Sequence, residues 1–103
     1  MTELILLLQA DIDIQSAFAR YEEYQPGRGE IFIRQLDAAL TLLREHPEAA
    51  PIYGGPYRRL LIREFPFGVF YQSQPSRIIV AAVMDLRQDP QSIQRKLPGL
   101  PAS

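Results

Sequence analysis

The chain has 103 residues, 47% of them hydrophobic and 22% charged, which describes one globular domain around a single core and not a disordered segment. It has no cysteine, which removes disulfides, thiol catalysis and thiolate metal sites, and one histidine, His46, too few for a multi-histidine centre, so neither metal nor cofactor is expected. The net charge of −1 conceals a split, because residues 1–50 hold nine acids and four bases while residues 51–103 hold three acids and seven bases; a basic patch beside an acidic one suits an anionic partner or an acidic protein surface.

In chain order, Leu4 to Leu8 reads as a short buried strand. It is far too short to span a membrane and lacks the basic lead and cleavage site of a secretory signal, so no membrane role and a cytoplasmic location are expected. A helix follows from Ala10 to Asp13 onward, with Asp11 or Asp13 as its cap and Ile14, Ala17, Phe18, Tyr21 and Tyr24 along one apolar face. Glu22 and Glu23 lie off that face. Gln25-Pro26-Gly27-Arg28-Gly29 is a turn, and a second helix runs from Glu30 to about Glu45 with Phe32, Leu36, Ala39, Leu40 and Leu43 inward. The two make a helical hairpin that needs a sheet to lie on.

After a connector rich in proline and glycine, residues 46–56, three strands are predicted at Arg58 to Glu64, Phe67 to Gln72 and Arg77 to Met84. Short turns at Phe65-Pro66 and Ser73 to Ser76 make them an antiparallel meander. On the third strand Ile78, Val80, Ala82 and Met84 point one way and Ile79, Ala81 and Val83 the other, so both faces want cover. The helical hairpin supplies one cover; the other is left open for a partner. Asp89-Pro90 then starts a short helix through Leu97.

The residues with chemistry to offer are arginines. Arg59 and Arg63 share a strand face by period two, with Leu61 between them, and Arg77 or Arg87 joins them depending on register, a cluster suited to phosphate or carboxylate. Such arginines serve equally in exposed ion pairs with Glu64, Asp85 or Asp89. No histidine lies in the meander or the tail, His46 falls at a helix end, and Tyr53, Tyr57 and Tyr71 have no base arranged beside them. Binding chemistry is better supplied than bond-making chemistry, and no catalytic residue is assigned.

Ala10-x-x-Asp13-Ile14-x-x-Ala17, Tyr21, Gly29-x-x-Phe32-x-x-x-Leu36, Pro47, Pro51, Arg59, Phe65-Pro66-Phe67-x-x-x-Tyr71 and Ala82-Val83-x-Asp85-x-Arg87-x-Asp89-Pro90 together resemble the RelE/ParE toxin superfamily, in its ParE-like or plasmid-stabilisation branch. The resemblance covers nearly the whole chain, 1–103, as one toxin domain. It implies an α+β fold, β-α-α-β-β-β with a short C-terminal helix, the hairpin packed on a mainly antiparallel four-stranded sheet. It also implies a type II toxin neutralised by a cognate antitoxin, whose C-terminal segment would cover the second sheet face near Leu61, Tyr71, Ile79, Ala81 and Val83 in a hetero-oligomer, with an acidic stretch meeting the arginines.

Two activities occur in the superfamily. RelE-like members are ribosome-dependent endoribonucleases using sheet basic residues and a C-terminal tyrosine or histidine, whereas ParE-like members poison DNA gyrase by binding. In many relatives histidine stands at the position of Asp85; here it is a carboxylate, Gln91 to Arg95 contains no tyrosine, and the sole lysine is Lys96. Those departures favour gyrase inhibition, with Arg59, Arg63, Arg77, Arg87 and the tail from Ser92 to Leu97 as target contacts. A ribonuclease and a non-toxic, antitoxin-binding relic are the alternatives.

Overall fold

A computed structural model describes residues 2–99. The chain runs β1 (Glu3–Leu6), α1 (Leu8–Tyr24), α2 (Arg28–Glu45), β2 (Ile52–Gly54), β3 (Tyr57–Leu61), β4 (Phe67–Gln74), β5 (Arg77–Asp85) and α3 (Pro90–Arg95). The α+β class and the helical hairpin on a sheet are as expected, but the sheet has five strands in the order β1-β5-β4-β3-β2. The additional strand, β2, comes from within the connector. β1 pairs parallel to β5 and the other neighbours are antiparallel.

The hairpin is built from local signals. α1 begins at Leu8, earlier than expected, and neither aspartate caps it: Leu7 is the N-cap with no side-chain bond, while Asp11 stands in the first turn. Ala10 and Ala17 are buried, but Phe18 and Tyr24 are exposed. α2 has its N-terminus served by Glu22, whose carboxylate accepts the N–H groups of Gly27 and Gly29 at 2.9 Å each, two donors that a helix start leaves without partners. Gly29 is required by packing, since a Cβ there would lie 2.8 Å from the Phe18 ring and 2.9 Å from its carbonyl oxygen. The expected inner face of α2 holds, with Phe32, Leu36, Ala39 and Leu43 buried.

Two expectations about the meander are corrected. β3 ends at Leu61, not Glu64, because Ile62 donates its N–H to the carbonyl of Phe67 and the chain turns through Arg63 and Glu64, the latter at φ 71°. Arg63 is therefore on a turn and not on the sheet face of Arg59. β5 does not alternate evenly: Phe70 pairs with Ala82 and Tyr71 with Val80, so Ala81 is an extra residue, a bulge that resets which side chains point where. Ile78, Val80 and Val83 face the helices, and Ala81, Ala82 and Met84 face the other side.

That other side is the third correction. It is closed over Tyr57, Phe70, Ala81, Ala82 and Met84 by the chain's own C-terminal segment, through Ile93 of α3 and Leu97 just after it, each under 5% exposed. Burying two such side chains contributes about 1.5–3 kcal/mol apiece. The Tyr57 hydroxyl donates to the carbonyl of Pro98 and ties down the end of the tail. Asp89 caps α3 by accepting the N–H of Gln91, with Pro90 as first residue, as its sequence indicates.

Candidate functional site

The arginines singled out from the sequence are not one cluster. Arg59 lies on the α3 side of the sheet with its guanidinium 5.2 Å from the Tyr53 ring centre. Arg63 is exposed on the β3–β4 turn. Arg77 opens β5 and donates to Gln74 Oε1 at 2.8 Å, whereas Arg87 follows the other end of that strand, about 26 Å away along nine extended residues. A single acidic segment cannot meet all four in one place.

The apolar positions expected to face a partner divide in the same way. Tyr71, Ala81 and Val83 are buried by the chain itself, Tyr71 on the helix side with its hydroxyl donating to the Pro47 carbonyl at 2.9 Å. Burial pushes the Tyr71 phenol above its ordinary pKa. Leu61 is 58% exposed and Ile79 half-buried, so these two retain surface to offer.

What the fold does assemble is a groove at the C-terminal end of β5, about 560 Å³, between α1, the β5 end and α3. Its polar wall is Asp13, Ser16 and Arg20 from α1, Asp85 at the end of β5, Arg87 and Gln88 just after it, and Lys96 from the tail. A second depression of about 430 Å³ shares Arg20 and Arg87 and extends past Tyr24, Arg28 and Glu64. Arg20 and Arg28 were missed from sequence because they lie in the acidic half on helices. They are carried here by an aromatic knot: Tyr21 and Phe32 of the hairpin pack edge-on against Phe65 with ring centres 4.9 and 5.2 Å apart, pinning the hairpin turn to the β3–β4 turn. Arg28 then lies 4.7 Å over the Phe65 ring.

Electrostatically the groove is mixed. Asp85 receives two bonds from the Arg87 guanidinium, Nε to Oδ1 at 3.0 Å and Nη2 to Oδ2 at 2.7 Å, and also the Arg87 backbone N–H. The side-chain bond from Arg87 holds the Asp85 carboxyl below the usual carboxylate range, against a smaller opposing effect of burial. Asp13 accepts the N–H of Val83 at 3.0 Å, supplying the partner that β1, ended at Leu6, does not reach. Gln88 links the two sides, donating to the Asp85 carbonyl and accepting from Lys96 Nζ. The cations Arg20, Arg28, Arg87 and Lys96 thus face the carboxylates Asp13, Glu64 and Asp85. A lining of both signs matches a protein surface better than a polyanion.

His46, Tyr57 and Tyr71 lie away from the groove, whereas Tyr21 and Tyr24 border its adjoining depression. His46 is the exposed C-cap residue of α2, and the hydroxyls of Tyr57 and Tyr71 are committed to backbone carbonyls. Among the described residues no group of three or more histidine, cysteine, aspartate or glutamate side chains is placed to hold a metal. No helix among them is long and apolar enough to cross a membrane.

A family model described as the ParE toxin of the type II toxin-antitoxin system, parDE, matches residues 4–90. Among solved structures the chain is similar to one titled "Chromosomal ParDE TA system from P. aeruginosa", with a TM-score of 0.75 at 14% identity, covering 84% of this chain and 98% of that one. At that identity the likeness is one of fold. No curated protein matches the sequence significantly.

Proposed function

Because the chain belongs to the ParE toxin family of type II toxin–antitoxin systems, we propose that it acts in the cytoplasm by binding and disabling DNA gyrase, and that a cognate antitoxin holds it inactive. The observation that carries the choice of binding over RNA cleavage is Asp85. The carboxylate stands in the groove ionised and clamped to Arg87, so the nearest guanidinium is already neutralised and a negative charge would meet any incoming phosphate.

The target would meet the groove through Arg20, Arg28, Arg87 and Lys96, with Tyr24, 81% exposed, as an amphipathic anchor at its rim. Arg59, Arg63 and Arg77 lie outside it. The test is induction of the chain in growing cells, alone and with the gene beside its own, while DNA and protein synthesis are followed by labelled precursors. DNA synthesis should stop first and growth should return on co-expression. Early arrest of protein synthesis with cut messages would favour the ribonuclease, and undisturbed growth on the chain alone the non-toxic relic.

A further inference from the structure

Resting on the reading that the chain disables gyrase by binding it, we propose that the contact is centred on the depression between Arg20, Arg28 and Arg87, which takes a carboxylate side chain from an acidic segment of the target protein, with Tyr24 packed beside it. Three cations from distant parts of the sequence meet there, one in α1, one at the start of α2 and one just after β5. Contacts around a single turn hold them together. Tyr21 packs edge-on against Phe65 at 4.9 Å, and Arg28 lies 4.7 Å over the same ring. Leu86 donates its N–H to the Pro66 carbonyl at 2.8 Å, which fixes Arg87 next to it in the chain.

The chain leaves these charges poorly answered. Among the described residues neither Arg20 nor Arg28 makes a side-chain hydrogen bond or an ion pair. Arg87 gives Nε and Nη2 to Asp85, which leaves Nη1 for another acceptor on a side chain that is 71% exposed. Gathering like charges costs free energy, and an incoming carboxylate recovers it. The stacking of Arg28 on Phe65 holds its planar fork in place before any partner arrives, so less freedom is lost when a carboxylate is bound. Tyr24, 81% exposed, adds an amphipathic ring at the rim.

The rest of the lining selects the kind of anion. Glu64 stands in the same depression, exposed and without an ion pair among the described residues, on backbone held at φ 71°, where glycine or asparagine would cost less. Duplex DNA presents one negative charge per about 1.7 Å of its axis, so a strand laid across the arginines would also bring phosphates onto Glu64 and Asp85. A polypeptide can present one carboxylate among uncharged neighbours, and its backbone N–H groups suit Glu64 as acceptor. The apolar lining, Tyr21, Phe65 and Pro66, suits the methylenes of such a segment, and about 430 Å³ is the scale of a side-chain pocket.

The test uses the purified full chain with gyrase, with and without DNA. Arg20→Glu and Arg28→Glu should each raise the concentration of chain that halves supercoiling by about tenfold or more. Arg44→Glu, the same charge change about 24 Å along α2 from Arg28, should stay within about twofold of the parent. With Tyr24 replaced by p-benzoylphenylalanine, light should join the chain to gyrase protein in the absence of DNA, at a peptide containing aspartate or glutamate. That crosslink decides for any variant that loses the parent's amide spectrum. Inhibition with both arginine variants as potent as the parent overturns the site and leaves the gyrase reading standing, whereas no inhibition by the unaltered chain removes both. Crosslinking to DNA alone assigns the arginines to phosphate and overturns the proposal. A free chain of doubled mass that becomes a monomer in Arg20→Glu would assign the depression to a second copy. Loss of binding to the protein encoded beside its gene in Arg20→Glu, with inhibition intact, would assign it to the antitoxin, and either result overturns the proposal.

Discussion

Asp13 is the side chain through which α1 and β5 are tied together, and replacing it isolates one bond. Its Oδ2 accepts the N–H of Val83 just past the bulge at Ala81, in a strand segment whose side chains are almost wholly enclosed. Asp13→Ala leaves that part-buried N–H at the groove wall without its charged acceptor. A bond to a charged acceptor contributes about 1.5–3 kcal/mol, and water in the groove offsets part of its loss, so a loss of about 2 kcal/mol, in the lower half of that range, is expected. For a chain of this length that is a fall of about 8 °C in Tm. Asp13→Asn keeps an oxygen at the same reach and should recover about half of the loss. Urea unfolding gives the energies, and amide exchange gives the location, because Val83 should exchange faster in Asp13→Ala before any other β5 residue does. A change under about 0.5 kcal/mol, with Val83 protected as in the parent, would refute the assignment.

Leu97→Ala should cost about 2–3 kcal/mol if α3 covers the second face, at the lower end for Leu→Ala because a terminal helix can undock locally; urea midpoints with tyrosine fluorescence report it. Glu22→Ala should cost about 1 kcal/mol by leaving the N–H groups of Gly27 and Gly29 without their acceptor, and Glu22→Gln less, by thermal unfolding. The Asp85 carboxyl titrates lower in the folded chain than in the unfolded one, so its stabilising effect is complete above the unfolded value of about 3.9 and is lost as pH falls through the depressed folded value. Arg87→Ala should therefore differ from the parent by a constant amount at neutral pH, and the gap should close on acidification, read from urea midpoints between neutral and strongly acidic buffer.

Elements with local signals were legible. Asp89-Pro90 announces the start of α3, and the spacing of Phe32, Leu36, Ala39 and Leu43 marks the buried face of α2. β2 was hidden because its three residues, Ile52-Tyr53-Gly54, sit among prolines and glycines and pair only through β3. The bulge at Ala81 has no signature in a run as uniformly apolar as Ile78 to Met84, and it alone reverses the facing of Val83. The cover on the second face was present as the four-residue spacing of Ile93 and Leu97, yet only the packed structure turns that spacing toward Phe70 and Met84. The arginines failed as a group for a geometric reason: strand length separates Arg77 from Arg87, while an aromatic contact far apart in sequence brings Arg20 and Arg28 to Arg87.

The most direct measurement is a titration of purified DNA gyrase with the purified chain, scored for supercoiling of relaxed plasmid, beside a cell-free translation reaction at the same concentrations. Supercoiling should fall in proportion to the chain added and be restored by the protein encoded beside its gene, while messages stay intact. Undiminished supercoiling together with cleaved messages would contradict the account.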